Sequence, residues 1–445
     1  MLHFVCLKHG SLSIFLFLIF SSPVFSQINH FAEPEEGVGF TDDFKVLIEN
    51  KPSITDFFTL SQNSNFNRAF ANPAPWTDSY WPNYRGGIAT RFVDPGTPKN
   101  KIWQTHYNFY LNNPASIYLS SQKVRQLSPA EKYDLLIGDT NWTLTKYVWS
   151  IGQGSQTQYG MVPTWTGICH GWAAASQIGI PAPKTGVKMM DVAQTTEIQF
   201  YPFDISALVS YLWSKPKAKD LFTGRRCRTS SPERHGSRVT TSSCFDVNPM
   251  TWHLAVTNRI GGMQKSLVMD TSQGSEVWNY VVYHYNTLYF NPATSEYSYN
   301  IVDSIVKLSN FPHDELKDFR GSRAVYIVGV MMDVFFPGAV SPHIGSMPTQ
   351  NLERKKFVYD LELDENYQVV GGEWRGESHP DFLWIYPESN NPFLNPNTLA
   401  ELYTASLDPL ITTEVASRAR KLSVKGKVLD EVVYKILQKS LGNRE

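Results

Sequence analysis

One cysteine stands in a context that suits a nucleophile. It lies in Pro163-Thr164-Trp165-Thr166-Gly167-Ile168-Cys169-His170-Gly171-Trp172-Ala173-Ala174-Ala175-Ser176. The alanines favour helix, and Gly179 and Pro181 end it. Cys169 therefore falls at a predicted helix N-terminus. Unpaired backbone N–H groups and the helix dipole favour a thiolate there, and the thiolate is the attacking form. The competing reading is a small buried core cysteine. A nucleophile of this kind needs a base. His170 is adjacent, but successive helix residues point about 100° apart, which places it poorly. His253 is the better candidate, in Asn248-Pro249-Met250-Thr251-Trp252-His253-Leu254-Ala255-Val256, where it is expected to enter a short apolar strand. A structural histidine is the competing reading. Asp270 ends the next apolar run, Ser266-Leu267-Val268-Met269-Asp270. Two antiparallel strands joined by an Arg259-Ile260-Gly261-Gly262 turn would bring Asp270 to His253, to hold the tautomer and stabilise an imidazolium. A plain turn aspartate competes with that role, and Asn279 is a weaker candidate for third member.

The elements that must position these residues follow from local signals. Ser128-Pro129-Ala130-Glu131 predicts a capping box and a helix through Ile137 that stops near Gly138. Asp204 is expected to cap a second helix, with Ile205, Leu208, Val209 and Leu212 on one face and Pro216 as the stop. From about residue 252 the pattern turns to strands: 254–256, 266–269, 277–285, 324–334 and 356–363, then Val369 to Trp374. Leu429, Val432, Val433, Ile436, Leu437 and Leu441 form a helical stripe near the end. No repeat of 20–50 residues is visible. Helices first and antiparallel-looking strands after make the fold class α+β rather than alternating βαβ.

The chain start bears on compartment. Lys8 and His9 precede the apolar run Leu12 to Phe20, and small residues follow through Ser26. This reads as a secretory signal peptide over residues 1–26 with cleavage near Ser26. The run is too short for a membrane core that needs ~20 apolar residues, so no membrane anchor is expected. An exported protein is permitted disulfides. Of the four cysteines, Cys6 leaves with the leader. Cys227 and Cys244 flank a polar, Arg-rich segment, and a disulfide closing that loop is the parsimonious reading, worth about 3 kcal/mol in the chain-entropy model. A metal site with His235 is the alternative, but it falls short of the four ligands structural zinc takes. Cys169 is left unpaired.

The 445 residues suggest about two to three domains. A composition 42% hydrophobic and 18% charged excludes wholesale disorder. A net charge of −1 argues against nucleic acid as partner. Asp360, Glu362 and Asp364 alternate as a strand does, with Glu365-Asn366 as its turn and no glycine where a calcium loop needs one. No metal and no cofactor is assigned.

Taken in order, several motifs resemble the transglutaminase elicitor family, that of the oomycete cell-wall transglutaminase and its bacterial relatives. They are Pro75-Trp76 with Tyr80-Trp81-Pro82, Leu127 to Tyr133, Gly167 to Ala175, Asn248 to Val256, and Met269-Asp270-Thr271 with Glu276-Val277-Trp278-Asn279. Gly371 to Trp374 and His379-Pro380-Asp381-Phe382-Leu383-Trp384 complete the set. The resemblance implies a papain-like, transglutaminase-like core. A helical part carries Cys169 and packs on an antiparallel sheet carrying His253 and Asp270. It implies a secreted protein-glutamine γ-glutamyltransferase. Cys169 attacks a glutamine carboxamide, ammonia leaves, and a lysine or other primary amine resolves the thioester. The Cys169 N–H is one oxyanion donor, and the Trp165 indole is a second option. The domains expected are the leader (1–26), a loop-rich extension (27–125), the catalytic domain (126–390) and a C-terminal helical segment (391–445). A secreted peptidase or deamidase with the same triad is the alternative, although papain-like proteases usually carry Cys-Gly-Ser-Cys-Trp and an asparagine as third member. A non-enzymatic surface protein with an inert triad is the third reading.

Overall fold

Ser128, Pro129 and Glu131 start a helix as their spacing predicts. In the computed structural model the Glu131 N–H donates to the Ser128 hydroxyl, and the Ser128 N–H donates to the Glu131 carboxylate. The helix runs Pro129–Leu136. Gly138 follows it at φ +66°, a left-handed conformation that glycine adopts without strain. The structure describes residues 42–442 except 121, 216–218, 228–230, 232, 236–237, 242–243, 245, 273–274, 299, 349–350, 377 and 396–409. The expected leader with Cys6 and the cleavage point near Ser26, Pro216, and the side chain of His235 lie outside the described residues.

The second helix begins three residues earlier than expected. Pro202 takes its first position, Tyr201 is the cap, and Asp204 sits one turn in, accepting from the Tyr201 N–H at 2.7 Å. The other Asp204 task is tertiary. Its carboxylate takes a hydrogen bond from the Lys132 ammonium at 2.6 Å, and both side chains are wholly buried. Burial pushes the lysine down and the aspartate up, and each charge partly offsets that effect on the other. This pair ties Pro129–Leu136 to Pro202–Trp213.

Two hydrophobic cores are separated by a four-stranded antiparallel sheet. Its order is Leu221–Gly224, Phe382–Ile385, Val268–Asp270, Asn279–Val281. Side chains along a strand alternate between faces. Phe382, Trp384, Val268 and Val281 enter the first core, with the helices Cys169–Gln177, Pro202–Trp213 and Asp430–Leu441. Leu383, Ile385, Met269 and Val282 enter the second. That core is closed by a larger antiparallel sheet ordered Arg68–Phe70, His284–Phe290, Tyr326–Pro337, Leu352–Leu363, Val369–Trp374, with Ile305–Lys307 also paired to Tyr326–Pro337. The class is a mixture of helices and antiparallel sheets. Within Leu352–Leu363, Asp360 accepts hydrogen bonds from Arg320 and Arg375, so its charge is met by arginines.

One element departs from expectation in a way that matters. The segment around His253 is a helix, Pro249–Val256, and not a strand. Asn248 caps it by accepting from the Met250 N–H at 2.8 Å, and Pro249 occupies the first helical position. This start signal overrides the β-favouring Trp252 and Val256. The helix continues as a wider-wound stretch, Thr257–Gly262, so Arg259 to Gly262 is no hairpin turn. Arg259 is buried there and donates to the carbonyls of Ser266 and Leu47. The 277–285 run likewise breaks, into Asn279–Val281 and His284–Phe290, which belong to different sheets.

Cys227 and Cys244 are bonded, and Cys169 is a free, buried cysteine. Among the described residues no helix is long and apolar enough to cross a membrane. Because Lys132 and Asp204 are dry, removing one charge strands the other. Lys132→Ala is expected to cost about 3–5 kcal/mol in chemical denaturation, against less than about 1 kcal/mol for Lys188→Ala in the exposed Lys188–Glu197 pair.

Candidate active site

Two close approaches place the cysteine. The Ile168 N–H donates to the Tyr80 carbonyl at 2.8 Å. A Cβ on Gly167 would stand 2.2 Å from that same oxygen, so only glycine lets the two segments meet. Gly171 permits a similar approach further along, where a Cβ would stand 2.0 Å from the Ser210 carbonyl. The helix Cys169–Gln177 thus lies hard against Pro202–Trp213, with Cys169 its first residue, as the sequence predicts.

The four-stranded sheet supplies the partners. Asp270 and Asn279 are register partners across two antiparallel strands. Each lies two residues from one that enters the first core, Val268 and Val281, so both point to that face. The Asn279 amide nitrogen donates to the Cys169 sulfur at 3.7 Å. Its oxygen accepts from the Trp384 indole at 2.8 Å, which fixes the NH₂ end toward the thiol. Asp270 is buried. One oxygen accepts from the Trp278 N–H at 2.8 Å and the Ser272 hydroxyl at 2.8 Å. The other has no hydrogen-bond partner.

The electrostatics oppose a resting thiolate. Burial pushes the Cys169 thiol up, and the nearby Asp270 carboxylate adds to this. Hydrogen bonds from Asn279 and from the His170 N–H act the other way without prevailing. Burial also raises Asp270, to about 7, against relief from the Trp278 N–H and Ser272. A thiol that keeps its proton therefore sits near a carboxyl that exchanges one around neutrality, a pairing suited to proton transfer during attack.

The histidine expected as base is not among this group. His253 belongs to a helix whose Trp252, Leu254, Ala255 and Val256 all enter the second core. Its Nδ1 pairs with the Tyr359 hydroxyl at 2.8 Å, and its ring meets Tyr289 edge-on. Burial alone lowers it to about 3. The four-stranded sheet stands between that core and the one that the Cys169 helix enters, and among the described residues no hydrogen bond or ring contact joins His253 to Cys169 or Asp270. The strand expected at 252–256 would have brought them together; the Asn-Pro helix start sends His253 to the other face. His170 turns its Nε2 to the Ser214 carbonyl at 3.3 Å, and burial holds it down at about 4. Trp165 is half-buried against the first core. Trp384 and Tyr80 carry no local mark of a site residue, although both stand in the family motifs. Alternation along Val268-Met269-Asp270 is the signal that assigns Asp270 its face.

Asp270 has a measurable pH signature. Its folded carboxyl lies above the ordinary 3.8, so between about pH 4 and 7 the folded protein keeps a proton that the unfolded chain has lost. Stability from this group falls as pH rises through that window. Asp270→Asn is therefore expected to melt above the parent at pH 8, with the gap closing by pH 4. An unchanged melting difference across that range would show that Asp270 titrates normally.

The sequence profile of the transglutaminase elicitor family matches residues 53–415. The fold is similar to the crystal structure of the GP42 transglutaminase from Phytophthora sojae, with a TM-score of 0.52 and 21% identity over 78% of this chain and 91% of that one. No curated protein matches the chain.

Proposed function

The chain belongs to the transglutaminase elicitor family, and from that premise we propose that it is a secreted protein-glutamine γ-glutamyltransferase with Cys169 as nucleophile. The observation that carries this reading is the free cysteine at a helix N-terminus facing Asp270 and Asn279. The papain-like arrangement of a cysteine helix on an antiparallel sheet belongs to the same reading. The Cys227–Cys244 bond supports the oxidising compartment that a leader at residues 1–26 implies.

The thiol attacks a glutamine carboxamide as Asp270 takes its proton. The tetrahedral oxygen is met by the Cys169 N–H and the Asn279 amide. Asp270 returns the proton to the departing nitrogen, ammonia leaves, and an acyl-thioester remains on Cys169. A primary amine then attacks, Asp270 accepts its proton, and the isopeptide forms as the thiol is restored. Water in place of the amine gives deamidation by the same route. Asp270 thus takes the proton-transfer role expected of His253.

The test is incorporation of a fluorescent primary amine into a glutamine-rich protein by the purified chain. Cys169→Ala is expected to abolish labelling. Asp270→Asn is expected to slow it by about 10²–10⁴-fold. His253→Gln, if folded by circular dichroism, is expected to stay within tenfold of the parent. Loss of labelling in folded His253→Gln with activity kept in Asp270→Asn would overturn the assignment. Peptide-bond cleavage without labelling would indicate a peptidase, and an inert thiol under reducing conditions a non-enzymatic protein.

A further inference from the structure

Beside the Cys169 site lies a cavity of about 510 Å³, lined on one wall by Tyr80, Trp81, Tyr84, Arg85 and Lys99 and on the other by the 339–342 loop. Its volume falls within the ~300–1,000 Å³ of small-ligand sites, enough for a peptide side chain or two. We propose that it is a subsite for a carboxylate-bearing side chain of the peptide presented to Cys169, with Arg85 as the anion anchor. The proposal rests on the reading that Cys169 acts on peptides.

The cavity and the nucleophile share a wall. Tyr80 lines the cavity, and its carbonyl holds the Ile168 N–H next to Cys169. Its hydroxyl donates to the Thr164 carbonyl at 3.0 Å, and its ring meets Trp278 edge-on at 5.5 Å. Trp278 in turn donates its N–H to Asp270. Tyr80 is thus the residue that joins the cavity to the segment carrying the thiol.

Arg85 is an unusual cation for this fold. It is half-buried and its Nε is buried without a hydrogen bond. Among the described residues no carboxylate stands within ion-pair distance, and its guanidinium packs over the Tyr84 ring at 5.5 Å. Arg91, a few residues on, shows the ordinary solution, with Glu131 accepting from its Nε and Nη2. The carboxylate that lines the same cavity, Asp94, is engaged elsewhere, accepting from the Tyr118 hydroxyl at 2.5 Å and the Gly96 N–H at 2.9 Å. It does not neutralise Arg85. An arginine drawn partly out of water with unmet donors is costly. A carboxylate that completes its planar fork removes that cost and is matched to it geometrically. Lys99, exposed at the rim, adds a second positive charge.

The wall is preorganised for an occupant. Asp78 is buried and accepts from Ser206 and Ser210, each at 2.8 Å, and from the Trp81 indole at 3.3 Å. Trp81 is held at φ +47°, a strained conformation for a large side chain that persists only when its surroundings fix it. The Asp78 carbonyl also accepts from the Val340 N–H at 3.0 Å, which locks the facing loop to the same anchor. A site already held in shape loses little order on binding.

The acid can sit on the glutamine donor or on the amine acceptor, and the two are separable. Full-length Cys169→Ala protein, in which no chemistry proceeds, is titrated by tryptophan fluorescence with two pairs of blocked peptides. The donor pair is acetyl-Gly-Gln-Gly-Glu-Gly-amide and the same peptide with Gln for Glu. The acceptor pair carries Lys in place of the first Gln. In one pair the Glu peptide is expected to bind at least tenfold tighter than its neutral isostere. The gap should vanish in Arg85→Gln and narrow at high salt. Which pair shows it names the source of the acid. Equal binding in both pairs, or a gap that survives Arg85→Gln, overturns the subsite. Should Arg85→Gln fail to fold, Lys99→Gln on the exposed rim carries the test, with a gap reduced several-fold supporting the proposal and an unchanged gap overturning it. Because binding is read without turnover, failed amine labelling with the gap intact would sink the transferase reading alone. Equal binding with labelling intact would sink the subsite alone.

Discussion

A strand shows its side chains alternately to two faces, and the four-stranded sheet turns that rule into a division of labour. Odd and even positions of Val268–Asp270 and Phe382–Ile385 feed two separate cores. Whatever is to meet Cys169 must point to the face that its helix covers. Asp270, Asn279 and Trp384 do, and they touch one another or the thiol because register forces it. A one-residue slip in Val268–Asp270 would turn Asp270 into the second core and expose Met269 to the first. Register therefore defines the site before any side-chain chemistry does.

The second theme is carboxylates held in dry surroundings for different ends. Asp204 is paired with a buried lysine and joins two helices. Asp78 has hydroxyl and indole donors instead of a cation, and burial raises it to about 7. Donors of this kind satisfy the oxygens without committing the charge, which lets one side chain brace the strained Trp81 loop. Asp204 and Asp270 each keep one buried oxygen that nothing meets. An unmet acceptor in a protein interior costs stability. The Asp270 carboxyl lies near the one described cysteine that is not disulfide-bonded. Stability lost at such a position is the usual counterpart of function.

How much of this the sequence disclosed depends on the range of the signal. The capping box at Ser128 and the closing stripe from Val432 to Leu437 are encoded within a few residues, and both formed as expected. The position of Cys169 at the first turn of its helix was equally legible, since Gly167 and the alanine run act locally. The residues around His253 carried two conflicting local signals. Aromatic and branched side chains argued for strand, and Asn248-Pro249 for a helix start. The cap prevailed because it satisfies backbone donors that a strand there would have to pair elsewhere. Once that segment is helical, the hairpin that would have delivered His253 to Asp270 cannot exist. The pairing of Trp384 with Asn279, 105 residues apart, is a product of sheet order and has no local signature.

The helix N-terminus at Cys169 also shows how far a local rule reaches. Its dipole and free N–H groups favour a thiolate, yet the side chain is buried with a carboxylate nearby, and burial outweighs the dipole. In the proposed mechanism the N–H groups would instead meet the negative charge that gathers on a substrate oxygen attacked by the sulfur. A charge that appears only during reaction gains from them, while a resting thiolate would be opposed by its dry surroundings. Proton transfer and attack are then coupled: the sulfur gains nucleophilicity as its proton leaves, and the leaving proton needs an acceptor on the same face. Asp270, raised by the burial that also raises the thiol, is the nearby carboxyl to which the proposed mechanism gives that role.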